Sequence, residues 1–163
     1  RKINLNFEVI SLRAPGLHPS GQGRQWYGLY PHDWNGAEIE VRRLLVTLKK
    51  FDTDQISLRK TILLGFSQGA AMAIDAGITL DLGLIIACSG YPHPNWLPGK
   101  KCPPLIVSHG LFDDVVPIEA SRVIYEKVKK QSSEFCELIE FDGFHQIDSN
   151  LIDIINSKIN YFF

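Results

Sequence analysis

A serine set between two glycines at the end of an apolar run is the residue of this chain best placed to do chemistry. Residues 60–71 read Lys-Thr-Ile-Leu-Leu-Gly-Phe-Ser-Gln-Gly-Ala-Ala. That is a buried-strand pattern, then Gly65-Phe66-Ser67-Gln68-Gly69, then small helix formers. A G-x-S-x-G between a strand and a helix has the form of a nucleophile elbow. The turn must be tight and strained so that the serine hydroxyl projects above the sheet, and strand and helix then pass so close that a β-carbon at Gly65 or Gly69 should clash. Ala70 and Ala71 keep the first helical turn thin. The helix N-terminus directs free N–H groups at the serine, where negative charge develops during acyl transfer. The bland alternative is a strand-to-helix turn with a capping serine, so the rest of the chain must supply a base and an acid.

A serine hydroxyl is a poor nucleophile near neutral pH. It needs a histidine to take its proton, and a carboxylate to fix that imidazole's tautomer and steady its charged form. Two later stretches offer such groups: His109-Gly110-Leu111-Phe112-Asp113-Asp114-Val115-Val116-Pro117 and Asp142-Gly143-Phe144-His145. His145 leads as the base because it follows the last strand and comes after the acid. His109 ends its strand ahead of the acid and suits a role in turning the loop. Asp113 and Asp114 are adjacent and cannot both face the histidine; spacing leaves the choice open. Asp142 and Asp148 lie close to His145 in sequence and fit turn or helix caps better.

The elements that must position these groups alternate. Phe7–Arg13 is β-rich and is stopped by Ala14-Pro15-Gly16, which predicts a strand. Residues 14–35 form a long Gly- and Pro-bearing stretch with Trp26, Tyr27, Tyr30 and Trp34, whose aromatics either line an apolar pocket or pin the loop to the core. Ala37, Val41, Leu44, Leu45 and Leu48 give the stripe of an amphipathic helix ending near Phe51. Strands are predicted at about 60–65, 81–88, 104–109 and 136–141, the last alternating and so an edge. Helices follow to Gly77, around Ala120–Val128 and from Leu151 to Phe162. Strands alternating with helices give a single α/β domain over 1–163 with a mainly parallel sheet, and functional groups beyond the carboxyl ends of its strands.

Composition narrows the classes. The 163 residues are 45% hydrophobic and 21% charged with a formal net charge of −1, a globular profile without the basic cluster that nucleic acid requires. Pairs such as Lys49-Lys50 and Lys129-Lys130 read as solvated helix ends. Cys88, Cys102 and Cys136 are odd in number and lack metal or redox spacing, which suggests a reducing, cytoplasmic setting. No apolar run approaches 18 residues, so no transmembrane segment is expected. The chain starts at Arg1 and its only methionine is Met72, so a processed, trimmed or incomplete start is expected. Oligomeric state is open, a homodimer included.

Gly-Phe-Ser-Gln-Gly-Ala (65–70), His-Gly-x-x-Asp-x-x-Val-Pro (109–117) and Gly-x-His-x-Ile (143–147), in that order, resemble the carboxylesterase/phospholipase family of α/β-hydrolases, which includes the acyl-protein thioesterases. Arg-Ala-Pro (13–15) and Gly-Arg-Gln-Trp-Tyr (23–27) are similar to its early region. The resemblance implies a three-layer fold with Ser67 as nucleophile, Asp113 rather than Asp114 as acid, His145 as base, the Gln68 N–H as one oxyanion donor and Trp26 near the acyl pocket. It implies no metal or cofactor, and small-molecule esters, acyl thioesters of proteins or lysophospholipids as substrates. Family members also carry an earlier strand followed by a His-Gly loop that gives a second oxyanion N–H. Nothing before Phe7 matches it, so the N-terminal strands of the family are expected to be missing, with a gap between the 7–13 strand and the elbow strand.

Overall fold

The computed structural model describes residues 8–147 and 149–162. A two-residue antiparallel ladder, β1 (Gly16–Leu17) with β2 (Arg24–Gln25), opens the chain. The Arg24 guanidinium donates to the Ala14 and Pro15 carbonyls, which ties the two early motifs together. Helix α1 (Trp34–Lys49) begins where the Asp33 carboxylate accepts the Gly36 N–H at 2.8 Å, an N-cap that satisfies one otherwise unpaired donor. A 3-10 turn at Leu58–Lys60 follows, and Thr61 leads into β3 (Ile62–Phe66), two residues later than the apolar run predicts.

The remaining elements are α2 (Gln68–Gly77), β4 (Leu84–Cys88), β5 (Leu105–Gly110), α3 (Glu119–Gln131), β6 (Cys136–Phe141) and α4 (Ser149–Phe162). The sheet order is β3-β4-β5-β6 and every pairing is parallel. Period-two alternation sorts the central strands onto two cores. Ile85, Ala87, Leu105 and Val107 pack with α1, α2 and α3, while Leu84, Ile86, Cys88 and Ile106 pack with Leu151, Ile155 and Ile159 of α4. β4 is buried at every position, as a parallel strand covered on both faces must be, whereas β6 is an edge.

The predicted strand at 7–13 does not form. Residues 8–13 are irregular, with Val9 73% and Ile10 54% exposed, and Phe7 lies outside the described residues. β-propensity is realised only when a neighbouring strand completes the ladder, and among the described residues β3 pairs with β4 alone. Instead Val9, Ile10 and Leu12 stand across an apolar cleft of about 690 Å³ from Leu63, Leu64 and Phe66. β3 is thus an open edge in the described sheet, and Leu64 in its middle is 42% exposed.

Candidate active site

The apolar run of β3 delivers the chain to Ser67, whose φ of 53° and ψ of −122° are a strained pair for a residue with a β-carbon. Such a conformation typically costs on the order of 1–3 kcal/mol, so the surroundings must enforce it. They do so from both sides. The Ser67 N–H extends the parallel ladder to the Cys88 carbonyl at 2.8 Å, while the Ser67 carbonyl accepts from Ala70 and Ala71 at 2.9 and 3.1 Å. A β-carbon at Gly65 would stand 2.2 Å from the Gly69 carbonyl oxygen, so glycine is required there. Gly69 corrects the sequence expectation: a β-carbon on it would meet nothing within 4 Å. The second close approach lies elsewhere, where Ala70 Cβ fills the space a side chain on Gly90 would need, 2.8 Å away.

The ends of β5 and β6 bring Asp113 and His145 together. A β-carbon on Gly110 would lie 2.4 Å from the Gly143 and Phe144 carbonyl oxygens, so the loop after β5 rests on the loop after β6. The Leu111 and Phe112 N–H groups donate to the Phe141 and Gly143 carbonyls at 2.8 and 2.9 Å. Across this seam His145 Nδ1 donates to Asp113 Oδ2 at 2.8 Å. Oδ1 accepts the Val115 and Val116 N–H groups at 2.9 and 2.8 Å. The Asp113 side chain is 0% exposed and would be raised by burial, but the Val116 N–H, then His145 and the Val115 N–H, outweigh that and hold it below the usual carboxylate range. Asp114, its neighbour, is exposed to solvent.

His109, the rival histidine, is buried beneath this pair. Its Nδ1 accepts from Ser121 Oγ at 2.6 Å, and Nε2 donates to the Val116 carbonyl at 2.8 Å and lies 3.2 Å from Asp113 Oδ2. One ring nitrogen ties His109 to α3 and the other to the loop that carries Asp113. Among the described residues His145, by contrast, uses only Nδ1, and its ring centroid stands 4.7 Å from that of Phe66, the residue before the serine. The sequence reading missed the apolar rim here: Phe112 and Phe144 are both exposed with centroids 6.1 Å apart. Their places beside Asp113 and His145 were the available signal.

On the other side of the elbow, Trp26 lines the cleft together with Gly65, Phe66, Gly69 and Met72. The Gln68 side chain holds this segment: its Oε1 accepts the Trp26 N–H at 2.8 Å and its Nε2 donates to the Tyr27 carbonyl at 2.9 Å. The Gln68 N–H, at the start of α2, makes no hydrogen bond among the described residues. The three cysteines are free and buried. Burial pushes the Cys136 thiol up to about 12 and raises the Cys88 thiol as well, so neither offers a thiolate nucleophile.

A parallel sheet with helices on both faces, a strained serine between strand and helix, and an Asp–His pair at the ends of later strands define an α/β-hydrolase. The chain belongs to the phospholipase/carboxylesterase family, whose pattern it matches over residues 3–163. It is 27% identical over 150 residues to acyl-protein thioesterase 1 of Saccharomyces cerevisiae, covering 79% of this chain and 63% of that one. To acyl-protein thioesterase 1 of Aspergillus fumigatus it is 30% identical over 145 residues, covering 78% and 58%. The chain therefore spans about three-fifths of the length of these curated relatives. Among solved structures, esterase PE8 superposes with a TM-score of 0.79 at 27% identity, over 93% of this chain and 76% of that one.

Proposed function

We propose that the chain carries the reactive core of a serine hydrolase that cleaves carboxylesters or acyl thioesters through an acyl-enzyme. The observation that carries the reading is the His145–Asp113 hydrogen bond of 2.8 Å, with the His145 ring against Phe66, the residue before a serine held at φ 53°. Ser67 Oγ attacks the acyl carbon as His145 Nε2 takes its proton, and Asp113 stabilises the resulting imidazolium. The carbonyl oxygen becomes an oxyanion facing the Gln68 N–H. Collapse breaks the bond to the alcohol or thiol, which leaves with the proton from His145. Water then gives a proton to His145 and its hydroxide to the acyl carbon, releasing the acid and restoring Ser67. Trp26 forms a wall for the acyl group, which suits a small-molecule ester or an acylated protein. Three free cysteines support a reducing, cytoplasm-like setting.

The open cleft beside β3 favours a second reading, a module that holds apolar groups with little turnover. With Gln68 as the one oxyanion donor identified, loss of a second would lower the rate by roughly 10²–10³. A fluorophosphonate probe separates the readings. The wild type should label and Ser67→Ala should not, whereas a folded but unlabelled wild type removes the hydrolase reading.

A further inference from the structure

Gln68 holds more than an oxyanion N–H. Its carboxamide reads the backbone of two successive residues in opposite directions, accepting from the Trp26 N–H and donating to the Tyr27 carbonyl. Only a side chain with one donor and one acceptor makes both bonds, so a glutamate at 68 would forfeit the second. The same segment is gripped again at its other end. The Tyr27 hydroxyl lies 2.6 Å from the Tyr91 hydroxyl and 2.8 Å from His93 Nε2, and His93 Nδ1 lies 2.8 Å from Asp75 Oδ2.

These contacts form one directed chain. The Asp75 carboxylate only accepts, so His93 Nδ1–H donates to it, and Nε2 of the neutral ring accepts the Tyr27 O–H. The Tyr27 oxygen then accepts from Tyr91. Burial, followed by the Tyr91 hydrogen bond, pushes the Tyr27 phenol well above its usual value, which keeps it a donor. Tyr27 is 4% and His93 7% exposed, so these polar atoms lie where a phenylalanine and a leucine would pack without any hydrogen-bonding requirement. Gln68 and Asp75 are seven residues apart, two turns along one face of α2. The Trp26–Tyr27 segment is thus bracketed twice by the helix that begins at the elbow.

We infer that Gln68, Tyr27, His93 and Asp75 form a positioning circuit that fixes Trp26 over the elbow and so sets the acyl-length preference of the site. The specificity half of this inference rests on the hydrolase reading; the circuit itself does not. Two arms test it in the intact chain. Amide hydrogen exchange should show the Trp26 N–H exchanging about tenfold faster in Tyr27→Phe and Asp75→Ala, roughly the weight of one net hydrogen bond. Asp75→Asn keeps an acceptor for His93 and should stay near wild type, and β4 amides should not change in any variant. Unchanged Trp26 exchange in Tyr27→Phe overturns the circuit.

In the second arm, kcat/KM for p-nitrophenyl octanoate relative to acetate should fall about tenfold in Tyr27→Phe and Asp75→Ala, mainly through KM, and stay near wild type in Asp75→Asn. An equal fall for both esters overturns the specificity role and leaves a structural one. A wild type that neither labels with fluorophosphonate nor turns over either ester sinks the hydrolase reading, and the exchange arm then decides the circuit by itself.

Discussion

The two sides of the elbow are built in contrasting ways. On the β5–β6 side, each oxygen of Asp113 has its donors, both nitrogens of His109 are engaged, and two loops meet over a glycine with no room for a methyl group. On the β3 side, the strand edge is open and residues 8–13 form no ladder among the described residues, and an apolar cleft of about 690 Å³ separates them from the sheet. The first region is specified by short-range contacts that the chain supplies to itself. The second depends on a neighbour for its hydrogen bonds and its burial. If Ser67, Asp113 and His145 act as proposed, the acid–base half of the site is the saturated one and the acyl side is the open one.

The largest effect that would break this contrast lies at the acid. Asp113→Asn leaves the volume unchanged but removes the charge that fixes the histidine tautomer, so kcat for a p-nitrophenyl ester should fall roughly 10³–10⁴-fold. Asp114→Asn, one residue away and exposed, should stay within about twofold of wild type. Equal small effects would mean that the saturated region is not the acid–base half.

Packing at the elbow comes next. Gly65→Ala drives a β-carbon into the backbone of Gly69 and should destabilise by about 3 kcal/mol or more. Gly69→Ala enters open space on a helix and should be neutral or stabilising by up to about 1 kcal/mol, read by urea midpoints. A smaller contrast compares one rung of the sheet. Leu64 on β3 pairs with Ile86 on β4, yet only Ile86 is fully buried. Ile86→Ala should cost about 2–5 kcal/mol and Leu64→Ala about 1 or less. Equal costs would show that the β3 edge is covered in solution.

The smallest effect is on the acid limb. Asp113 has its carboxyl held below the usual range, so the stability it contributes is complete above the ordinary carboxylate value and is lost as pH falls through the lower folded value. Urea titrations of wild type and Asp113→Asn should differ at neutral pH and converge toward that acid limit. A constant difference at every pH would mean that the paired charge contributes nothing.

How much was legible in the sequence follows the same division. Ser67 on its turn and the alternation of strands and helices depend on local pattern, and they were readable from glycine spacing and hydrophobic period. The placement of Asp113, and not Asp114, beside His145 was not, because burial next to a histidine 32 residues away has no local signature; only the resemblance favoured Asp113. Residues 7–13 carried good strand chemistry, but a strand exists only with a partner, and residues 8–13 have none among the described residues. Gly69 looked like a packing glycine because Gly65 is one; only the three-dimensional path separates them. The grip of Gln68 on Trp26 and Tyr27 was invisible for a related reason. The motif needs only the backbone N–H at that position, so nothing in its pattern asks for a carboxamide.

The central claim is that Ser67 becomes acylated, and peptide-level mass spectrometry tests it most directly. The chain would be mixed with a p-nitrophenyl ester and quenched in acid within the first turnovers. The acyl mass should appear on the peptide containing Ser67, with none in Ser67→Ala. Turnover with the acyl group on another residue, or equal turnover in Ser67→Ala, would contradict it.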